Sequence, residues 1–372
     1  MKKALWVATA LTLVASTSFA GGIDRSGQGV NILFEEGNFL QFTYSYAKPK
    51  VNGEANPIAP GLFTDASNVA QSYNSAGFGF KYEATEKLDV ALIYDQPFGA
   101  HVLYTDGPFS ATEGPLPYDG TAEINSDALT LLLQYDLGNG FSVHGGARAL
   151  KVDGVIQSGN GILRADSDYD FGGVVGVAYE KPEIALRVAL TYASAISSDF
   201  TGQRAAPTSP TDFDPRTFSV DFPESVNLDF QTGVAANTLV FGSIRWAGWG
   251  GFALDTTDGN WVNFDDDTIS YTIGVGQRIN DKLSLALQLG FEEPGSRPST
   301  TALAPTTGST SIGLGATYQV NEQLSISGGL TYAMPGDQSV NVANPATGTN
   351  IGTLDFNDNS AWGAGIRIGY RF

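Results

Sequence analysis

The last eleven residues, WGAGIRIGYRF at 362–372, alternate without a break. Trp362, Ala364, Ile366, Ile368, Tyr370 and Phe372 hold one parity, and Gly363, Gly365, Arg367, Gly369 and Arg371 hold the other. A period of two marks a β-strand with two unlike faces. A soluble sandwich would turn the charged face to water and bury the apolar one. Here the apolar face is long and aromatic at its ends, and the other face holds only glycine and arginine. That fits a strand whose oily side meets lipid and whose charged side looks into an enclosed lumen.

The same pattern recurs upstream in thirteen further segments of about ten residues. Examples are Leu129, Leu131, Leu133 and Tyr135, then Phe141, Val143 and Ala147, then Leu283, Leu285, Leu287, Leu289 and Phe291. The opposite parity collects Lys81, Asp89, Asp95, His144, Arg148, Arg187, Arg245, Arg278, Glu292, Arg367 and Arg371. No helical period of comparable strength competes. Connections alternate between short (84–87, 138–140, 181–183, 235–237, 280–282, 321–323) and long (48–72, 96–123, 153–165, 194–222, 249–267, 293–310, 334–359). Short periplasmic turns and long outer loops are the outer-membrane arrangement, and fourteen strands put both chain ends on the periplasmic side. The long loops are rich in Pro, Gly, Thr and Asp and read as irregular caps over the mouth.

Composition agrees. Only 16% of the 372 residues are charged, against about 25% in a soluble domain, while Gly reaches 45 and Tyr plus Phe 37. A net charge of −19 excludes a basic nucleic-acid footprint. There is no cysteine, hence no disulfide or thiolate metal site, and two histidines cannot form a histidine-rich one. The first residues carry Lys2 and Lys3, an apolar run from 4 to 14, and Ser18-Phe19-Ala20 before Gly21, the features of a cleaved secretory signal. The expected organisation is a signal at 1–20, a short N-terminal segment at 21–38, and a transmembrane β-barrel over 39–372 in a bacterial outer membrane. Such a barrel would be inserted by the barrel-assembly machinery and surrounded by outer-membrane lipid.

Three stretches carry a resemblance to the FadL/OMPP1/TodX family of outer-membrane transporters. They are GQGVNILFEEGN at 27–38, DQPFGA at 95–100, and FPESVNL at 222–228 followed by FGSIRWAGW at 241–249. The resemblance implies an all-β, 14-stranded antiparallel transmembrane β-barrel with a short N-terminal plug, or hatch. It implies passive uptake of long-chain fatty acids or other hydrophobic small molecules, and a monomer. It also implies a kink in the third strand through which ligand leaves sideways, which falls here on Pro97 and Gly99. The bland alternative for these two is a strand end starting a loop. The hatch motif Asn-Pro-Ala is missing from 21–38, which is also shorter than the family's usual segment.

An apolar ligand needs apolar lining at the mouth and a polar handle for any head group. Phe98, Tyr104, Phe109, Phe200 and Phe218 are the candidate lining, with Phe63, Tyr118, Phe213 and Trp261 also in outer loops. Arg148, Arg187 and Arg245 are candidate carboxylate partners, or else braces paired with Asp89, Asp95 or Glu292. The acidic stretches at 213–215 and 264–267 could take a hard cation, or be solvated loops. No nucleophile elbow is present and His144 lies on the lumenal parity, so no enzyme, cofactor or metal is expected. The alternatives to a hydrophobic-compound transporter are a general diffusion porin and a barrel whose loops bind a partner.

Overall fold

A computed structural model describes residues 23–344 and 347–372; the expected export signal at 1–20 lies outside the described residues. Fourteen strands form the wall: β1 (Phe39–Lys50), β2 (Tyr73–Thr85), β3 (Leu88–Asp95), β4 (Thr121–Gly138), β5 (Phe141–Ser158), β6 (Asp170–Lys181), β7 (Leu186–Ala193), β8 (Ser225–Ala235), β9 (Thr238–Ala247), β10 (Thr268–Arg278), β11 (Leu283–Glu292), β12 (Ser309–Gln319), β13 (Leu324–Pro335) and β14 (Ser360–Arg371). Each pairs antiparallel with its chain neighbours. β14 returns to β1, from Phe39 opposite Arg371 to Lys50 opposite Ser360, so the sheet closes. Closure is what lipid demands, because an open edge would leave N–H and C=O groups unsatisfied in hydrocarbon. The fourteen segments expected from alternation are these fourteen strands.

The parity also holds. Leu129, Leu131, Leu133, Phe171, Val175, Leu285, Leu289, Leu314 and Ile366 are exposed on the outer face, while Lys81, His144, Arg148, Arg187, Glu292 and Arg367 are buried within. At the outer rim, girdle aromatics donate to acceptors on or beside the next strand. Tyr44 reaches Asn74 (2.9 Å), Tyr94 Asp127 (2.6 Å), Tyr192 Glu224 (2.6 Å), Trp246 Asp267 (3.0 Å) and Tyr271 Glu293 (2.8 Å). Each ring thus sits in lipid with its polar atom tied to the wet side. On the opposite rim the 138–140 turn is tight. Gly138, Asn139 and Gly140 all have positive φ (85°, 56° and 84°), a conformation open to Gly and tolerated by Asn.

The outer loops are not irregular caps, contrary to the sequence expectation. β4 and β5 are each 18 residues long, against the 9–11 needed to span. The excess of β5 pairs with the strand Gly161–Ser167, which pairs with Ile196–Ala205, which pairs with Phe213–Phe222. A wall of sheet therefore rises from one side of the rim. A three-stranded sheet (Gly53–Pro57, Asn350–Phe356, Gln338–Ala343) and a hairpin (Ala253–Thr256, Gly259–Asn263) complete the mouth. Pro, Gly, Thr and Asp mark the turns between these short strands, which period-two counting over ten residues passes over.

Leu131, half exposed in the middle of the apolar face of β4, gives a direct test of which side is lipid. Leu131→Arg is expected to destabilise the barrel by about 2–4 kcal/mol. Loss of the heat-resistant folded band on gel electrophoresis would show it, and an unaltered band would place this face elsewhere than in lipid.

Candidate functional site

The segment ahead of β1 lies against the inward-facing charges. Its apolar residues Ile32 and Leu33 are buried with Ala91 and Ile93 of β3, Leu132 of β4 and Val174 of β6. Its polar groups take the charged rows one by one. Asp24 receives the Arg245 Nη2 at 2.5 Å, with Arg245 Nη1 on Asn227 at 2.8 Å. Asn227 in turn donates to the Gly27 carbonyl at 2.9 Å. Ser26 donates to Asp95 at 2.5 Å. Arg148 donates to Gln28 and, at 3.0 Å, to Thr130. The Arg187 guanidinium lies 4.7 Å from the centre of the Phe34 ring, a cation–π contact. Lys81 donates to the Glu35 carbonyl at 2.6 Å, and Arg367 pairs with the Glu35 carboxylate.

All three candidate arginines are therefore engaged by residues 24–34. The braces expected from sequence differ in identity: Arg245 pairs with Asp24 rather than with Asp89, Asp95 or Glu292, and Asp89 is held by Lys81 at 3.1 Å. Asp24 and Arg245 are 221 residues apart, and nothing in a single sequence links them. Glycine makes room for the segment on the wall. A Cβ on Gly79 would lie 2.5 Å from the Ile32 methyl, and one on Gly99 would lie 2.3 Å from the Arg25 guanidinium carbon.

Pro97 and Gly99 sit in a break of the wall and not at the start of a loop. β3 ends at Asp95, opposite Ala128. The strand resumes as Gly99–Leu103, with Gly99 opposite Asn125. Four steps on one side thus span three on the other, which is a β-bulge. Proline has no N–H for the ladder, and side chains replace the lost bonds. Ser126 accepts from Phe98 N–H and donates to Phe98 O, both at 2.8 Å, and Gln96 accepts from Ala76 N–H at 3.0 Å. The β2–β3 ladder stops at Phe78 and Tyr94. From inside, Arg25 N–H reaches Pro97 O at 2.6 Å and Gly99 N–H reaches Ile23 O at 2.7 Å.

Above the bulge an aromatic cluster fills the mouth. Phe98 stacks on Phe222 (5.1 Å between centres) and meets Trp249 edge-on (5.6 Å); Trp249 also meets Phe252 (5.2 Å) and Phe264 (5.6 Å). Phe200 stacks on Phe218 at 5.2 Å and joins the same cluster. Of the candidate lining, Phe98, Phe200 and Phe218 thus come together. Tyr104 and Phe109 do not. They belong to a separate cluster with Val69, Leu354 and Phe356, where Tyr104 donates to Ala302 O at 2.5 Å and burial pushes its phenol pKa up. Sequence reasoning missed Phe222, Trp249, Phe252 and Phe264 as lining, although Phe252 and Phe264 symmetrically flank a short hairpin. Below the cluster the lumen is mixed in character. A cavity of about 330 Å³ beside the N-terminal segment is lined by Thr43, Ser45, Ser75, Ser243, Thr272 and Gln288 together with Ile32, Ile93, Phe230 and Phe241.

The hairpin over the cluster is fastened at its tip. Arg216 grips Asp258 with Nε at 2.7 Å and Nη2 at 3.2 Å, and Arg204 approaches at 3.7 Å. The Arg216 fork beside Asp258 holds its carboxyl below the usual carboxylate range. The acidic stretch at 264–267 is used by protein donors: Asp267 by Trp246 and Gly250, Asp266 by Ser296. No group of three metal-ligating side chains occurs among the described residues. His144, buried on β5, bonds Thr191 at 2.9 Å and faces the Phe34 ring.

Residues 98–372 match the sequence profile of a family described as outer membrane protein transport protein (OMPP1/FadL/TodX). No curated protein is significantly similar in sequence. In fold the chain is similar to a Pseudomonas aeruginosa FadL homologue (TM-score 0.74, 13% identity, 96% of each chain covered). It is also similar to the P. putida toluene transporter TodX (0.63, 10%, 91% of each chain). A third likeness is the Ralstonia pickettii toluene transporter TbuX (0.57, 12%, 91% of this chain and 90% of that one).

Two outcomes follow from this geometry. Arg245→Ala leaves the Asp24 carboxylate buried without its cation, a loss of about 3–5 kcal/mol. The N-terminal segment should undock, and single-channel conductance in planar bilayers should rise while the barrel stays folded. At the hairpin, the depressed Asp258 pKa means the clamp is complete above about pH 4 and is lost as pH falls through the lowered value. Amide exchange over 253–263, corrected for intrinsic rate, should be flat from pH 5 to 8 and faster once the pH is taken below the lowered value. Asp258→Asn should show fast exchange at every pH.

Proposed function

The chain belongs to the OMPP1/FadL/TodX family of outer-membrane transport proteins, and on that premise we propose that it admits small hydrophobic molecules at the aromatic mouth and releases them sideways at the bulge of residues 96–98. The family is one of transport proteins rather than enzymes, and the barrel places this chain in the outer membrane. One observation carries the sideways route. The apolar cluster runs down to Phe98 on the bulge, whereas the lumen beneath breaks up its apolar side chains with hydroxyls, amides and charge. Each CH₂ on an apolar wall is favoured by about 0.8 kcal/mol over water. A hydrophobic ligand therefore gains by staying with the cluster and loses by descending the axis.

Residues 23–38 act as the plug in this reading, short as they are, because they reach β2, β3, β5, β7, β8, β9 and β14. Long-chain fatty acids or other hydrophobic small molecules are the ligands the sequence resemblance implies. Of the arginines that would grip a carboxylate, Arg148 and Arg245 are hydrogen-bonded by the plug and Arg187 lies against its Phe34 ring, so molecules without a carboxylate fit the mouth better. A general diffusion porin is the reading a polar lumen favours, and the plug contacts speak against it.

Pro97→Val supplies the missing N–H and lets the wall knit across the bulge. Uptake of a hydrophobic probe by proteoliposomes is expected to slow several-fold, with barrel assembly intact. Unchanged uptake would move the exit elsewhere, and large conductance without uptake in the unaltered protein would favour the porin.

A further inference from the structure

Trp249 is fully buried, yet its indole Nε1 has no hydrogen-bond acceptor among the described residues. Other indoles near the mouth are satisfied: Trp246 donates to Asp267 at 3.0 Å and Trp261 to Thr256 at 2.9 Å. Buried donors are nearly always paired, and an orphan calls for a reason. The neighbours do not supply one, since Phe98, Phe252 and Phe264 offer no acceptor oxygen or nitrogen. The position is informative. Phe98 belongs to the bulge, and Phe252 and Phe264 flank the hairpin clamped through Asp258. A molecule moving from mouth to bulge has to part these rings, and it then lies against Trp249.

We propose that the Trp249 N–H is a specificity-determining donor that reads a single oxygen acceptor on an otherwise apolar ligand. This deepens the transport reading given above and rests on it. The chemistry of the cage narrows the class. The rings about this indole, Phe98, Phe252 and Phe264, are hydrocarbon, and the buried hydroxyl of Ser198, on the strand face of Ile196 and Phe200, is neutral, so an ionised carboxylate against Trp249 would be buried beside neutral donors, which is costly. A neutral acceptor, such as a phenol, ether or carbonyl oxygen on a ring or short chain, satisfies the indole at no such cost. The preferred ligand is thus an oxygenated hydrophobic molecule rather than a fatty-acid anion.

The test uses purified full-length protein in detergent and two probes of one shape, p-xylene and p-cresol, which differ by methyl against hydroxyl. Binding is measured by calorimetry and corrected for each probe's partition from water into octanol. The unaltered protein should favour p-cresol, and 4-methylanisole, an acceptor that cannot donate, should be favoured likewise. Trp249→Phe should weaken p-cresol by about fivefold, the worth of one neutral hydrogen bond, while p-xylene binding changes less than about twofold. Equal changes for both probes, or no corrected preference in the unaltered protein, would overturn the proposal while leaving hydrophobic transport standing. Binding of neither probe by the unaltered protein would remove the transport reading and this inference together.

Discussion

The structure depends on one constraint: within hydrocarbon, every backbone N–H and C=O must find a partner in the protein. That requirement closes β14 onto β1 and leaves each strand bonded on both sides. It also explains the effort made at the bulge. There the ladder fails, and Ser126, Gln96 and the backbone of residues 23–25 replace it. The break is a repaired one. It interrupts the sheet without abandoning its hydrogen bonds.

A second consequence concerns charge. Lipid outside the wall forces ionic side chains inward, and inside they would face one another across a lumen. The N-terminal segment settles this by bringing Asp24, Glu35 and Glu36 to Arg245, Arg367 and Arg371. Sheet closure and segment docking are thereby linked, because the same arginines that cannot face lipid hold the segment. Gly79 and Gly99 complete the arrangement by letting it approach the backbone.

The wall was legible in the sequence and the site only partly so. Alternation reports which way a residue points, and it returned all fourteen strands because lipid enforces that pattern on every one. It says nothing about partners across the lumen, so it puts Arg148, Arg187 and Arg245 inside without pointing to Gln28, Phe34 and Asp24, which meet them there. The signal of Pro97 and Gly99 about Phe98 marked a disturbance without telling a bulge from a strand end. That distinction rests on Gly99–Leu103 pairing again with β4. Phe98, Phe200 and Phe218 went to one cluster and Tyr104 and Phe109 to another, and only tertiary folding of the 249–267 stretch could bring Trp249, Phe252 and Phe264 beside Phe98.

The length of β4 and β5 has a consequence for where solutes are met. Eighteen residues apiece leave some seven to nine beyond a 9–11 residue crossing, and at ordinary tilt that lifts the entrance by about 20 Å above the hydrocarbon. On the transport reading proposed above, an intake raised to that height would meet its solutes in the aqueous layer, clear of the lipid headgroups.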